Sequence, residues 1–194
     1  LAWDGHALIF ENGKPYVLSM FTPALVVEIV NDLRLDTTTH LEDTIAHRAE
    51  IDKCGKAFFN KTYPKHDLSK FSDEEATAYQ LNWFHNTSGD LWDYAIAHHY
   101  RENDHHVQHY ADASGQLPND LDTKVPHSTK CEIICDATAC IKRRNPGKNI
   151  YQRLEIIRSS YADPNGMCSS WPKNFLADLI DICDKTLKKG SDAG

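Results

Sequence analysis

An all-α domain preceded by a short β-hairpin is the fold class this sequence predicts. Beyond residue 22, apolar side chains recur at intervals of three and four through most of the chain, the period of a helix with one buried face. Breaks at Thr62-Tyr63-Pro64, Asn145-Pro146-Gly147 and Asp163-Pro164-Asn165-Gly166 divide that pattern into separate helices. The strongest hairpin signal, Asn12-Gly13, lies near the N-terminus between two short strand-like runs. The reading is therefore a hairpin and helix over 1–36, a helical domain over 37–187 and a disordered tail over 188–194.

In order, His6–Phe10 and Pro15–Leu18 form the hairpin, and Thr22-Pro23 starts a helix that ends near Asp36. The next helix runs from about Thr39 to Asn60, with Thr44, His47, Ile51, Cys54 and Phe58 on its inward stripe. After the proline break comes His66-Asp67-Leu68-Ser69-Lys70-Phe71. It lies just before, or at a kink into, a helix through Tyr79 to Phe84. Ser72 and Glu75 have the form of a capping box there.

Residues 91–110 are expected as one helix. Trp92, Ile96, His99, Asn103, His106 and Tyr110 fall on one face, and that face selects His99 and His106 over their neighbours His98 and His105. The face is apolar at its ends and His-Asn-His in the middle, and each buried polar group there needs a partner. A long loop over 111–128, of the kind often functional, leads to a helix over 128–142. Ile133, Asp136, Ala137 and Cys140 share one of its faces, so Asp136 is expected to point inward, where an aspartate needs a cation or donor. Helices over 150–161 and from Pro172 follow, the last burying Phe175, Leu179, Ile182 and Cys183.

Composition narrows the functional classes. The 194 residues are enough for a real core, and 41% hydrophobic with 25% charged residues is ordinary for a soluble domain. A net charge of −7 argues against general nucleic-acid binding or an anionic membrane surface. It still allows a small phosphorylated substrate, because a metal can supply positive charge locally. No apolar run is long enough to span a membrane, and no signal-peptide pattern is present. The six cysteines include no Cys-x-x-Cys pair, so a zinc knuckle is not expected. Cys131 and Cys135 read as small core residues, and the chain reads as reduced and cytoplasmic, an even cysteine count leaving a disulfide open.

The inward polar residues are then His47, His66, Asp67, His99, His106 and Asp136. Imidazole and carboxylate together suit divalent manganese, iron, cobalt, nickel or zinc, and helical cores hold such sites from inward-facing side chains. In its order His…His-Asp…Asp, this set resembles the HD-domain superfamily of metal-dependent phosphohydrolases, with His66-Asp67-Leu68-Ser69-Lys70 similar to its His-Asp-x-x-Lys form. The likeness spans roughly residues 40–145. More narrowly, His47-Arg48, His66 through Phe71 and His99-x-x-x-Asn103-x-His105-His106 resemble small, uncharacterised HD-like proteins of bacteria and their phages.

The resemblance implies an HD-like helical bundle and one or two divalent ions. It makes His47, His66, Asp67 and Asp136 the first metal site, with Asp67 bridging to a second ion completed by His99 and His106. It makes Lys70 the contact to a substrate phosphate, and Asp67, Lys70 and His99 the catalytic set. The implied activity is hydrolysis of a phosphate ester, with a nucleotide as the expected substrate. The same ligand types also serve HD-type di-iron oxygenases, and a non-catalytic nucleotide-binding module is the third alternative.

Overall fold

The computed structural model describes Ala2–Trp3, Ala7–Ile9 and Pro15–Val17 in the N-terminal region, and residues 38–85 and 89–192. Short strands β1 (Ala2–Trp3), β2 (Ala7–Ile9) and β3 (Pro15–Val17) pair antiparallel in that order, with Ala7 opposite Val17 and Leu8 opposite Tyr16. The Asn12-Gly13 turn and the helix expected from Thr22 to Asp36 lie outside the described residues. The rest is helical: α1 (Thr38–Phe59), α2 (Asp73–His85), α3 (Asp90–Glu102), α4 (Leu121–Lys124), α5 (His127–Cys140), α6 (Ile150–Ala162) and α7 (Lys173–Asp192). Two 3-10 turns, Leu68–Phe71 and Val107–Tyr110, join them. Among the described residues, no helix is long and apolar enough to cross a membrane. All six cysteines are free thiols.

The chain divides into two compact units, Leu1–Ile45 with Asp67–Asn103, and Ala46–His66 with Asp104–Gly194. In the first unit, α2 packs on α3 through Ala78, Leu81, Leu91 and Ala95. Tyr79 stands edge-on to Trp92 and stacks on His40, with centroids 5.1 and 5.0 Å apart. Burial lowers the pKa of that imidazole, against the opposing pull of its bond with the Lys70 carbonyl.

The larger core belongs to the second unit. Ile51, Cys54 and Phe58 from α1 meet Ile134 and Cys135 from α5, Leu154 from α6, and Phe175, Leu179 and Cys183 from α7. The expected stripe of α1 is buried at Thr44, Ile51, Cys54 and Phe58, with His47 half-buried. Glu50 is buried beside it. Its carboxylate accepts from Lys142 at 2.7 Å and from Arg153. Burial alone would raise the carboxyl pKa, but those two cations hold it below the ordinary range.

Helix α1 ends where Asn60 takes a left-handed conformation, φ 53°. Gly55 lets the chain fold back: a Cβ there would meet Lys61 O at 2.7 Å and the Tyr63 ring at 2.8 Å. Helix α6 opens on a capping box that the sequence reading missed, with Asn149 Oδ1 accepting from Gln152 N and Gln152 Oε1 from Asn149 N. Helix α7 continues past Lys188 to Asp192, where a disordered tail was expected. A Cβ at Gly190 would meet Tyr151 Cε1 at 2.5 Å. The absence of a side chain at Gly190 makes room for the Tyr151 ring.

Two other expectations are corrected. Helix α3 stops at Glu102 and does not run on to Tyr110. Asn103 leaves the helix with extended backbone, and its side-chain amide donates back to His99 O at 2.8 Å, the local competition with the helix that asparagine offers. His105 and His106 therefore leave the helical register. The capping box at Ser72 does not form either. Its Oγ has no hydrogen-bond partner, and Glu75 turns inward.

Candidate metal centre

In the second unit, α1 supplies His47, the loop after α1 supplies His66, the turn after α3 supplies His105, and α5 supplies Glu132, Asp136 and Cys140. The α5 residues are spaced by four, so they form one stripe along the helix. Arg48 positions the loop. Its guanidinium donates to the carbonyls of His66 and Pro64, the second at 2.8 Å.

His66 is fully buried at its ring, and Nδ1 lies 2.9 Å from Glu132 Oε1. An ionised carboxylate only accepts, so Nδ1 carries the proton and a neutral ring keeps its lone pair on Nε2. That Nε2 stands 3.8 Å from Asp136 Oδ1. The same oxygen is 3.0 Å from His47 Nε2. A ring nitrogen of His47 and one of His66 also lie within 4.8 Å of each other. Ligand atoms bound at about 2.0–2.2 Å to one tetrahedral ion stand about 3.3–3.6 Å apart. Each imidazole thus places Nε2 near one carboxylate oxygen of Asp136, at 3.0 Å for His47 and 3.8 Å for His66, on either side of the spacing between two ligands of one divalent cation. Partial exposure of His47 and Asp136, against full burial of His66, leaves the cluster open on one side.

His105 lies beside this cluster. Its ring stacks on that of His66 with centroids 4.0 Å apart, and Nδ1 is 3.6 Å from Glu132 Oε1. His106, the residue selected by the helical face, is half-buried, with its ring 4.3 Å from that of His105.

In the first unit, a second polar constellation surrounds Asp67. This residue adopts a left-handed backbone, φ 54°, which aspartate tolerates better than most side chains. Lys70 Nζ donates to its Oδ2 at 2.6 Å and lies 5.1 Å from the centre of the Tyr79 ring. His99 Nε2 is 3.4 Å from Asp67 Oδ1. On its other side, His99 Nδ1 donates to Glu75 Oε2 at 2.9 Å, while His98 Nδ1 donates to Glu75 Oε1 at 2.6 Å. Burial alone would raise the Glu75 carboxyl pKa, but the hydrogen bond and charge of His99 and the hydrogen bonds of His98 and Ser69 bring it below the ordinary value.

The structure thus brings together His47, His66 and Asp136 in one unit, and Asp67, Lys70 and His99 in the other. Sequence reasoning missed Glu132, Glu75 and His105. For Glu132, the signal was available in its spacing of four from Asp136.

Residues 36–182 match the model of a family described as a family of unknown function (DUF5662). No curated protein and no solved structure matches the chain.

Proposed function

We propose that this chain, which belongs to the family of unknown function DUF5662, is a metal-dependent phosphohydrolase of HD type. Its substrate is a small phosphorylated compound, and nucleotides are the first class to test. The observation that carries the reading is the convergence of His47 Nε2 and His66 Nε2 on Asp136 Oδ1, with the other nitrogen of His66 held by Glu132.

His47, His66 and Asp136 would hold a divalent ion. Glu132 fixes the His66 tautomer so that Nε2 is the coordinating atom, the usual outer support of a ligating histidine. Arg48 keeps the His66 loop in place through its two carbonyl contacts. When bound, the ion supplies a water of lowered pKa and polarises phosphoryl oxygens. The HD-type resemblance assigns Asp67, His99 and His106 to ion binding as well. It assigns Lys70 to the substrate phosphate, where a fixed ammonium offsets negative charge. With Nδ1 committed to Glu75, His99 has Nε2 as the atom through which it would bind a metal or pass a proton.

The test is metal content of protein purified without added metal or chelator, for wild type and His66→Ala, followed by phosphate release over a panel of nucleotides. One or two manganese, cobalt, nickel or zinc ions, lost in His66→Ala together with phosphate release, are expected. Two irons per chain with oxygen consumption would replace the hydrolase by a di-iron oxygenase. Absence of metal after reconstitution would remove both catalytic readings and leave a binding module.

A further inference from the structure

Helix α5 carries a thiol to the same carboxylate oxygen. Cys140 follows Asp136 by four residues, one helical turn, and its Sγ lies 3.3 Å from Asp136 Oδ1. Ligand atoms of His47, Asp136 and Cys140 all stand within 4.8 Å of one another. Zinc–sulfur bonds of about 2.3 Å with zinc–oxygen bonds of about 2.0–2.2 Å place tetrahedral S and O ligands roughly 3.5–3.7 Å apart, close to the observed separation. The other cysteines occupy different settings. Cys54, Cys131, Cys135 and Cys183 are buried and Cys168 is half-buried, and burial raises the thiol pKa of each, to about 11 for Cys54 and about 12 for Cys183. Cys140 is exposed, at the last residue of α5.

We infer that Cys140 is a thiolate ligand of the ion held by His47, His66 and Asp136. This inference rests on the metal site proposed above and deepens it, because the pattern His…His-Asp…Asp contains no sulfur. The ligand set becomes two imidazoles, one carboxylate and one thiolate. A soft donor of this kind shifts preference away from manganese and toward zinc, with cobalt as its spectroscopic substitute. As the Sγ–metal bond forms, the S–H proton passes to solvent, and no oxidant or reductant takes part. Four protein donors fill a tetrahedral zinc, so a water joins only when the ion expands to five ligands.

Cobalt(II) titration of the full-length, metal-stripped protein under reducing conditions tests this directly. Wild type is expected to develop visible d–d bands together with a near-ultraviolet sulfur-to-cobalt charge-transfer band. Cys140→Ser should keep the d–d bands, lose the charge-transfer band and bind zinc at least about tenfold more weakly, on the scale of lost metal-site interactions. A wild-type spectrum with d–d bands and no charge-transfer band would overturn the thiolate and leave the His–Asp site standing. A charge-transfer band that survives in Cys140→Ser would also overturn it, by placing the sulfur elsewhere. Absence of any cobalt band would instead overturn the metal site itself. Retention of the wild-type far-ultraviolet circular dichroism by Cys140→Ser separates lost ligation from lost fold.

Discussion

His66 is defined by the different work of its two ring nitrogens, one facing Glu132 and the other Asp136. Replacing Glu132 tests that division. Glu132→Gln keeps an acceptor for Nδ1–H but removes its charge, and zinc affinity is expected to fall about tenfold. Glu132→Ala removes the acceptor, with a loss at the upper end of about 10–100-fold. Competition with a chromophoric chelator measures both, and imidazole nitrogen shifts of the metal-free protein report the tautomer. Unchanged affinity in Glu132→Ala would remove Glu132 from the site. The closeness of His47, His66 and Asp136 was legible in the sequence because each interrupts an otherwise apolar helical face or stands beside a proline break. Glu132 and Glu75 were not, because a helical glutamate is ordinarily a solvated residue. Glu75 also occupied the third position of an apparent cap, which hid its place beneath His98 and His99.

Among the elements, the helical period located α1, α5, α6 and α7 to within a few residues but did not locate all of their ends. Periodicity reports which face is buried, while an end is decided by single side chains such as Asn103 that exchange a helical bond for a local one. The residues after Glu102 continued the expected spacing by coincidence, so the register of His105 and His106 was read wrongly from a helix that had already stopped. The capping box of α6 is a clean case for mutation. Asn149→Ala should cost about 1 kcal/mol, seen as a lower urea midpoint with unchanged slope. Gly190→Ala should cost about 1–3 kcal/mol by overpacking against Tyr151 and lower the thermal midpoint. An unchanged midpoint would show that the end of α7 does not bear on the ring.

Across the whole molecule, stability should follow pH through Glu50. Its carboxyl pKa lies below the reference value of 4.5 in the folded protein. Its contribution is therefore complete above that value and is lost as pH falls through 4.5 and then through the lower folded pKa. Removing the charge by Glu50→Gln leaves buried Arg153 without its carboxylate, a loss on the order of 3–5 kcal/mol near neutral pH. The gap in unfolding free energy between wild type and Glu50→Gln should narrow from pH 6 to pH 3. A constant gap would mean that packing, and not charge, explains the cost. The sequence indicated neither this pair nor the division into two units, because both join segments far apart along the chain.

That separation has a consequence for synthesis. Glu50 and Arg153 lie 103 residues apart, which ribosomes traverse in roughly 5–20 s. Throughout that interval the nascent α1 presents Ile51, Cys54 and Phe58 before α6 and α7 have been made to cover them. The second unit closes only once α7 has been made, and until then its first helix is the segment most open to chaperones and to other growing chains.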